Sequence, residues 1–338
     1  MLQLESVIVQ NFITQIKHNK RMQMKLLTKL TSIALIYIAL FSPSSASAYS
    51  SIVAFGDSLS DNGNFNQILN PGYVGPPIRP SNGPVAVEVM ANTLGVPLFD
   101  YAVTGAKTGL DVSSGRDNNI DIPALLGTGM TAQVSNYLAG KSSVGSNALY
   151  FIWGGPNDLG GYARSDYSIV ANNITSMVTQ LANKGATSFF IPNLIDMGLD
   201  PYFTGPDKVQ QSQDSVFYNA LFSKTIHDFS VANPTLNIQY FDYFTLQHSI
   251  IDNAPAGFNT TDACTLNTAC VADPNIAKNY FFWDEFHPTA TMHNVIGTQY
   301  ANTALTAAVP EPETYALMLA GLGLVGFASR KRKVIKQA

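Results

Sequence analysis

Ser51-Ile52-Val53-Ala54-Phe55 runs without a break into Gly56-Asp57-Ser58-Leu59-Ser60-Asp61-Asn62-Gly63-Asn64. The first five residues are short and almost wholly apolar, as a strand buried within a sheet requires. Gly56 permits a tight turn where that strand ends. Ser58 then falls at the mouth of a sheet, near a helix N-terminus. A serine there has its hydroxyl open to substrate, and nearby backbone N–H groups can hold an oxyanion. Serine and aspartate after a strand are equally ordinary helix caps, so this stretch alone leaves both readings open.

Outward from it, Leu98–Val103, Ala148–Trp153, Ser188–Pro192 and Ile238–Tyr243 read as further strands. Helical patterns fill the intervals: Pro84–Leu94, Ala132–Leu138, Tyr167–Asn183, Val209–Val231 and Pro288–Thr303. Lys184-Gly185 is a helix stop. Apolar strands alternating with helices predict an α/β fold, a mostly parallel five-stranded sheet covered on both faces. Right-handed crossovers put functional loops at the carboxyl ends of the strands. Asn70–Gly83 and Ala254–Asn279 read as long surface loops, where substrate selection can reside.

Three more motifs follow strands or precede a helix. Trp153-Gly154-Gly155-Pro156-Asn157-Asp158 offers an Asn side chain that can donate to an oxyanion, or is simply turn chemistry. Asp284-Glu285-Phe286-His287-Pro288 sets a carboxylate three residues before a histidine, enough for a base and its orienter. Pro288 suits the first position of a helix, leaving His287 on the loop before it; a capping Asp and a surface His would look the same. Tyr101-Ala102-Val103-Thr104-Gly105-Ala106 can present the Gly105 N–H to the same pocket, or be a plain turn. His18, His227, His248 and His293 read as pre-sequence, helix-face or loop residues. No dense His/Cys/carboxylate cluster suggests a metal.

The chain has 338 residues, 46% apolar and 12% charged, with a net charge of −4. That excludes disorder and a coiled coil. The charge is uneven: residues 49–308 hold nine basic residues against twenty acidic ones, a net of −11. An acidic body argues against nucleic acid. The remaining cations flank apolar runs and read as topology signals. Lys25 and Lys29, the run Leu30–Phe41 and Ala46-Ser47-Ala48 make the three parts of a secretory signal peptide, with an uncleaved anchor as the alternative. Met22 and Met24 both make sensible starts. The expected organisation is leader 1–48, body 49–308 and tail 309–338. The exported body can oxidise Cys264 and Cys270 to a local disulfide.

Together the four motifs resemble a GDSL-type (SGNH) serine hydrolase of the lipase/acylhydrolase branch, over Ser51 to about Ala304. The resemblance implies a three-layer α/β/α, flavodoxin-like fold with no metal or organic cofactor. It implies Ser58 as nucleophile, His287 as base and Asp284 as its orienter, with the Ser58 N–H, the Gly105 N–H and the Asn157 side chain as oxyanion hole. Thr104 stands where the family's second block often has a glycine, and Pro156 where the third often has a small residue. Asp57 and Asp158 are expected to hold loops by hydrogen bonding. The implied activity is carboxylic-ester hydrolysis through an acyl-enzyme. The substrate is a lipid, a small acyl ester or an acetylated polysaccharide, and a catalytically idle matrix protein is the alternative from another class.

Val309-Pro310-Glu311-Pro312-Glu313-Thr314, the apolar stretch Tyr315–Ala328 and Arg330-Lys331-Arg332-Lys333 resemble a PEP-CTERM sorting signal of Gram-negative bacteria. That resemblance implies signal peptidase and an exosortase-type enzyme as processing partners. It also implies transient membrane association through a short transmembrane helix, and a final location at the cell surface, outer membrane or extracellular matrix. A plain tail anchor is the alternative.

Overall fold

The computed structural model describes residues 49–111, 114–159 and 163–307, with Gly321. The chain runs through β1 (Ser51–Gly56), α1 (Asn64–Leu69), α2 (Ala86–Leu94), β2 (Leu98–Asp100), β3 (Ala106–Asp111), β4 (Arg116–Asn118) and α3 (Met130–Leu138). It continues with β5 (Ala148–Trp153), the one-turn α4 (Pro156–Leu159), α5 (Tyr167–Ala182), β6 (Ser188–Pro192), α6 (Gly205–Ala232), β7 (Asn237–Phe241) and α7 (Tyr243–Asp252). It ends with β8 (Asn259–Ala263), α8 (Thr268–Ala272), α9 (Pro274–Ala277), β9 (Tyr280–Phe282) and α10 (Ala290–Ala307).

Five strands form the central sheet in the order β2-β1-β5-β6-β7. Every neighbouring pair is parallel, so the sheet is wholly rather than mostly parallel. Counted along the chain the order is 2-1-3-4-5, the doubly wound, flavodoxin-like pattern. Its direction reverses at β1 and β5, whose last residues, Gly56 and Trp153, are register partners. A ligand crevice opens at such a switch point, beyond the carboxyl ends of the strands.

Alternation along β5 explains the layers. Tyr150 meets Tyr137 of α3 on one face. Phe151 and Trp153 meet Tyr300 of α10 on the other. All six β5 residues are buried, which is why the strand reads as continuously apolar. Phe190 of β6 stacks on Phe151 at 5.8 Å and meets Tyr300 at 5.2 Å. Such aromatic pairs add about 0.5–1.5 kcal/mol each beyond their buried area. α10 lies tightly on α2: a Cβ at Gly297 would sit 2.3 Å from the Ala86 carbonyl oxygen.

Several boundaries differ from expectation for local reasons. β2 ends at Asp100 because that carboxylate turns back to accept the Ala102 N–H at 3.0 Å. β7 ends at Phe241 because the Asp242 side chain caps α7, accepting the Thr245 N–H. The last helix begins at Ala290, not Pro288. Pro288 pairs in an isolated bridge with Phe282, and the Ala290 N–H donates to Asn82 Oδ1 at 2.7 Å. The stretch Ala254–Asn279, read as a loop, contains β8, α8 and α9 and a disulfide between Cys264 and Cys270.

The leader and the expected apolar tail helix lie outside the described residues, Gly321 excepted. Among the described residues no helix is long and apolar enough to cross a membrane.

Candidate active site

Ser58 stands just beyond β1, at the sheet's switch point. Gly56 is fixed there by crowding: a Cβ would lie 2.6 Å from the Trp153 carbonyl oxygen. Beyond it the Asp57 carbonyl accepts the N–H groups of Ser60 and Asp61 at 3.1 and 3.0 Å. The chain thus turns helically straight out of the strand and leaves Ser58 half-buried on the rim.

His287 arrives from the other end of the chain. β9 and the Phe282–Pro288 bridge hold its loop, and the Trp283 N–H donates to its carbonyl at 2.7 Å. His287 Nε2 lies 2.8 Å from Ser58 Oγ. Its Nδ1 lies 2.8 Å from both oxygens of Asp284. Asp284 Oδ1 also accepts the N–H groups of Phe286 and His287 at 2.9 Å. Burial pushes the Asp284 carboxyl up, but its hydrogen bonds and the attraction of His287 outweigh this and hold it below the usual range. The carboxylate therefore selects the tautomer with Nδ1 as donor and leaves the Nε2 lone pair facing the Ser58 hydroxyl.

Gly105 and Asn157 line the same cavity of about 480 Å³ as Ser58 and His287. Gly105 has φ +82°, and a Cβ there would meet Asn118 Oδ1 at 2.5 Å, so glycine is required. Asp61 Oδ2 accepts both the N–H and the hydroxyl of Thr104 at 2.8 Å, which anchors the turn. Asn118 Nδ2 donates to the Thr104 carbonyl at 3.0 Å from the other side. Asn157, in α4, turns its Nδ2 toward the Ala106 carbonyl at 3.2 Å and Asp57 Oδ2 at 3.5 Å. All five residues singled out for chemistry, Ser58, Gly105, Asn157, Asp284 and His287, therefore come together. A serine hydroxyl bonded to an oriented imidazole, beside backbone and amide N–H donors, can carry acyl transfer.

Asp57 and Asp158 hold loops. Asp57 Oδ1 accepts the Leu59 N–H at 3.0 Å. Asp158 accepts the Thr108 N–H and hydroxyl, tying α4 to β3. Burial pushes both carboxyls up to about 7.

Three residues have roles that sequence reasoning missed. Gln133 bonds both backbone groups of Gly56. Asp200 lies in the cavity wall. His293, read as a helix-face or loop residue, is buried in α10 with Nδ1 accepting the Ala86 N–H at 3.1 Å. A period-3.6 hydrophobic pattern flags none of them, because each is polar and buried through distant partners. His248 bonds Asp196 at 2.9 Å, away from Ser58. Among the described residues no group of three or more His, Cys, Asp or Glu is arranged to hold a metal.

Residues 52–299 match the family model of the GDSL-like lipase/acylhydrolases. Residues 308–333 match the PEP-CTERM protein-sorting motif. The chain is 29% identical over 276 residues to a thermolabile hemolysin of Vibrio parahaemolyticus, covering 72% of this chain and 61% of the hemolysin. It is 26% identical over 337 residues to a GDSL esterase/lipase of Arabidopsis thaliana, covering 83% of this chain and 97% of that one. A solved member of the lipolytic G-D-S-L family from Veillonella parvula is 14% identical, with a TM-score of 0.43 and 76% and 96% coverage of this chain and that one. The chain belongs to the GDSL-like lipase/acylhydrolase family, a family of ester-hydrolysing enzymes, and carries a PEP-CTERM sorting motif at its C-terminal end.

Proposed function

We propose that this protein hydrolyses carboxylic esters with Ser58 as nucleophile, His287 as general base and acid, and Asp284 as the group that orients His287. The observation that carries the reading is the unbroken hydrogen-bond chain Ser58 Oγ–His287–Asp284 opening on a cavity. His287 takes the Ser58 proton as Oγ attacks the ester carbonyl. The Ser58 and Gly105 N–H groups and the Asn157 amide hold the oxyanion. His287 then protonates the departing alkoxide, and a water that it activates releases the acyl group from Ser58.

The leader and sorting motif support export and removal of the tail by an exosortase-type enzyme, with the apolar tail touching the membrane in passing. The sorting motif also favours a second substrate, acetylated surface polysaccharide, cleaved by the same chemistry. The test is hydrolysis of short- and long-chain p-nitrophenyl esters and of acetylated polysaccharide by the purified protein and by Ser58→Ala. Wild-type turnover falling at least about a thousandfold in the variant is expected. Turnover surviving in Ser58→Ala rules the mechanism out.

A further inference from the structure

The cavity wall beside His287 is built by the segment that follows β6. Asp200 ends the 3₁₀ turn Met197–Leu199, and its carbonyl accepts the Phe203 N–H at 3.1 Å. Asp200 lines the cavity that contains Ser58 and His287 and is only 3% exposed. The enclosed Oδ1 has no hydrogen-bond partner among the described residues. Buried polar atoms are ordinarily paired, and an unpaired one is costly. The ester mechanism above makes no use of this carboxyl. Burial first, and then the negative charges of Asp196 and Asp284, push Asp200 well above the usual carboxylate range against the opposing attraction of Lys208. Burial of this kind favours the protonated form of a carboxyl, which has an O–H to donate and an oxygen to accept.

Its position decides what it meets. His287 hands its proton to the departing oxygen, so the alcohol half of the ester lies on the His287 side. That side carries Phe286, next to His287, and Tyr202 and Phe203, just after Asp200. The Tyr202 and Phe286 rings are 4.7 Å apart at 35°, and the Tyr202 N–H donates to the Glu285 carbonyl at 3.2 Å. Tyr202 is 57% and Phe286 39% exposed, so this aromatic plate is open at the rim. A polyol or sugar ring supplies C–H surface for the rings and a hydroxyl for the acid that lines the same cavity. A plain alkyl group leaves the acid unpaired.

We infer that Asp200 is a specificity-determining residue that reads a free hydroxyl on the alcohol half of the ester. This rests on the ester-hydrolase reading. A glycerol monoester and a partly acetylated sugar both supply the hydroxyl, and separate assays distinguish them. The full-length protein, Asp200→Leu and Asp200→Asn are compared on propyl acetate, glycerol monoacetate, monoacetylated glucose and p-nitrophenyl acetate.

Wild-type kcat/KM is expected to be about tenfold or more higher on a hydroxylated acetate than on propyl acetate. Asp200→Leu abolishes that preference by raising KM for the hydroxylated acetates toward that for propyl acetate, and p-nitrophenyl acetate shows that the variant still turns over. Asp200→Asn, which keeps a donor and an acceptor, retains it. No preference in the wild type, or a preference that survives Asp200→Leu, overturns the inference. If circular dichroism shows the Leu variant unfolded, Asp200→Ala, which removes donor and acceptor without added bulk, decides in its place: preference lost supports the inference and preference kept overturns it. Wild-type protein inert toward all four esters sinks the ester-hydrolase reading itself. Turnover without hydroxyl preference sinks only the role of Asp200.

Discussion

The side chain of Gln133 acts as a peptide strand for Gly56. Its Oε1 accepts the Gly56 N–H at 3.0 Å and its Nε2 donates to the Gly56 carbonyl at 2.9 Å. The same Nε2 donates to the Thr128 carbonyl at 2.8 Å. A helix side chain thus anchors the last residue of β1, two positions before Ser58.

Gln133→Leu removes all three bonds and strands the Gly56 N–H, while the Gly56 carbonyl keeps the Val103 N–H at 3.1 Å. We expect a loss of about 1–3 kcal/mol, the cost of leaving a buried backbone donor unpaired. A urea midpoint lowered at constant slope checks it. A change below about 0.5 kcal/mol would mean that water replaces the side chain without cost.

Asp61 gathers N–H donors from both sides of the crevice: Gly63 and Asn64 at 2.8 and 2.7 Å, and Thr104 at 2.8 Å. Asp61→Ala frees the turn that carries Gly105. Turnover should fall about 10–1,000-fold if the Gly105 N–H then misses the oxyanion. KM for p-nitrophenyl acetate should stay nearly constant, and steady-state kinetics separate the two parameters. A change in KM alone argues that Asp61 shapes binding and not the oxyanion site.

The two buried groups Asp158 and His293 have opposite pH signatures. Asp158 is pushed up to about 7, chiefly by burial and against its bonds from Thr108. Folded protein keeps a proton that the unfolded chain releases above pH ~4, so this contribution falls as pH rises from about 4 to 7. Asp158→Asn should therefore gain on the wild type across that window. His293 is lowered to about 3, chiefly by burial. It stays neutral when folded, and its contribution is lost as pH falls from about 6.5 to 3. His293→Asn, which keeps an acceptor for the Ala86 N–H, should soften that loss. Thermal midpoints of the three proteins at pH 4, 5.5 and 7 test both signs, and parallel curves contradict them.

Cys264 and Cys270 lie six residues apart and share a small buried cluster with Ala277. The Thr265 N–H donates to the Trp283 carbonyl at 2.8 Å, one residue before Asp284. Closing so short a loop is worth roughly 2 kcal/mol by chain entropy. Reduction, or Cys264→Ser with Cys270→Ser, should open residues 259–283 to limited proteolysis and lower turnover before the sheet melts. Proteolysis unchanged by reduction would show that β8 and β9 hold without the bridge.

The strands SIVAF, ALYFIW and SFFIP were legible because each is buried on both faces and needs no pattern beyond continuous apolarity. The ribbon β3–β4 was not. The sequence of β3, AKTGLD, has no apolar run, and its Thr108 is buried against Asp158, a partner that only the fold brings near. Pro288 has the right chemistry for a helix start, but the bridge to Phe282 takes precedence over it. The site was legible as three blocks that follow strands and one that precedes a helix, because switch-point chemistry must hang from strand ends. Gln133 and Asp200 were not, since a lone glutamine in an amphipathic helix and an aspartate near a proline are unremarkable in one dimension.

Ser58 and His287 are 229 residues apart along the chain and 2.8 Å apart in space. That separation also measures time. A ribosome adding roughly 5–20 residues per second leaves Ser58 without its partner for roughly 10–50 s. Throughout that interval the nascent chain has β1 and Ser58 but, on the proposed mechanism, no imidazole to take the serine's proton. A product truncated just before Phe286 contains all five strands of the central sheet and lacks His287. On the proposed mechanism, hydrolytic competence therefore begins only after nearly the whole body has been synthesised.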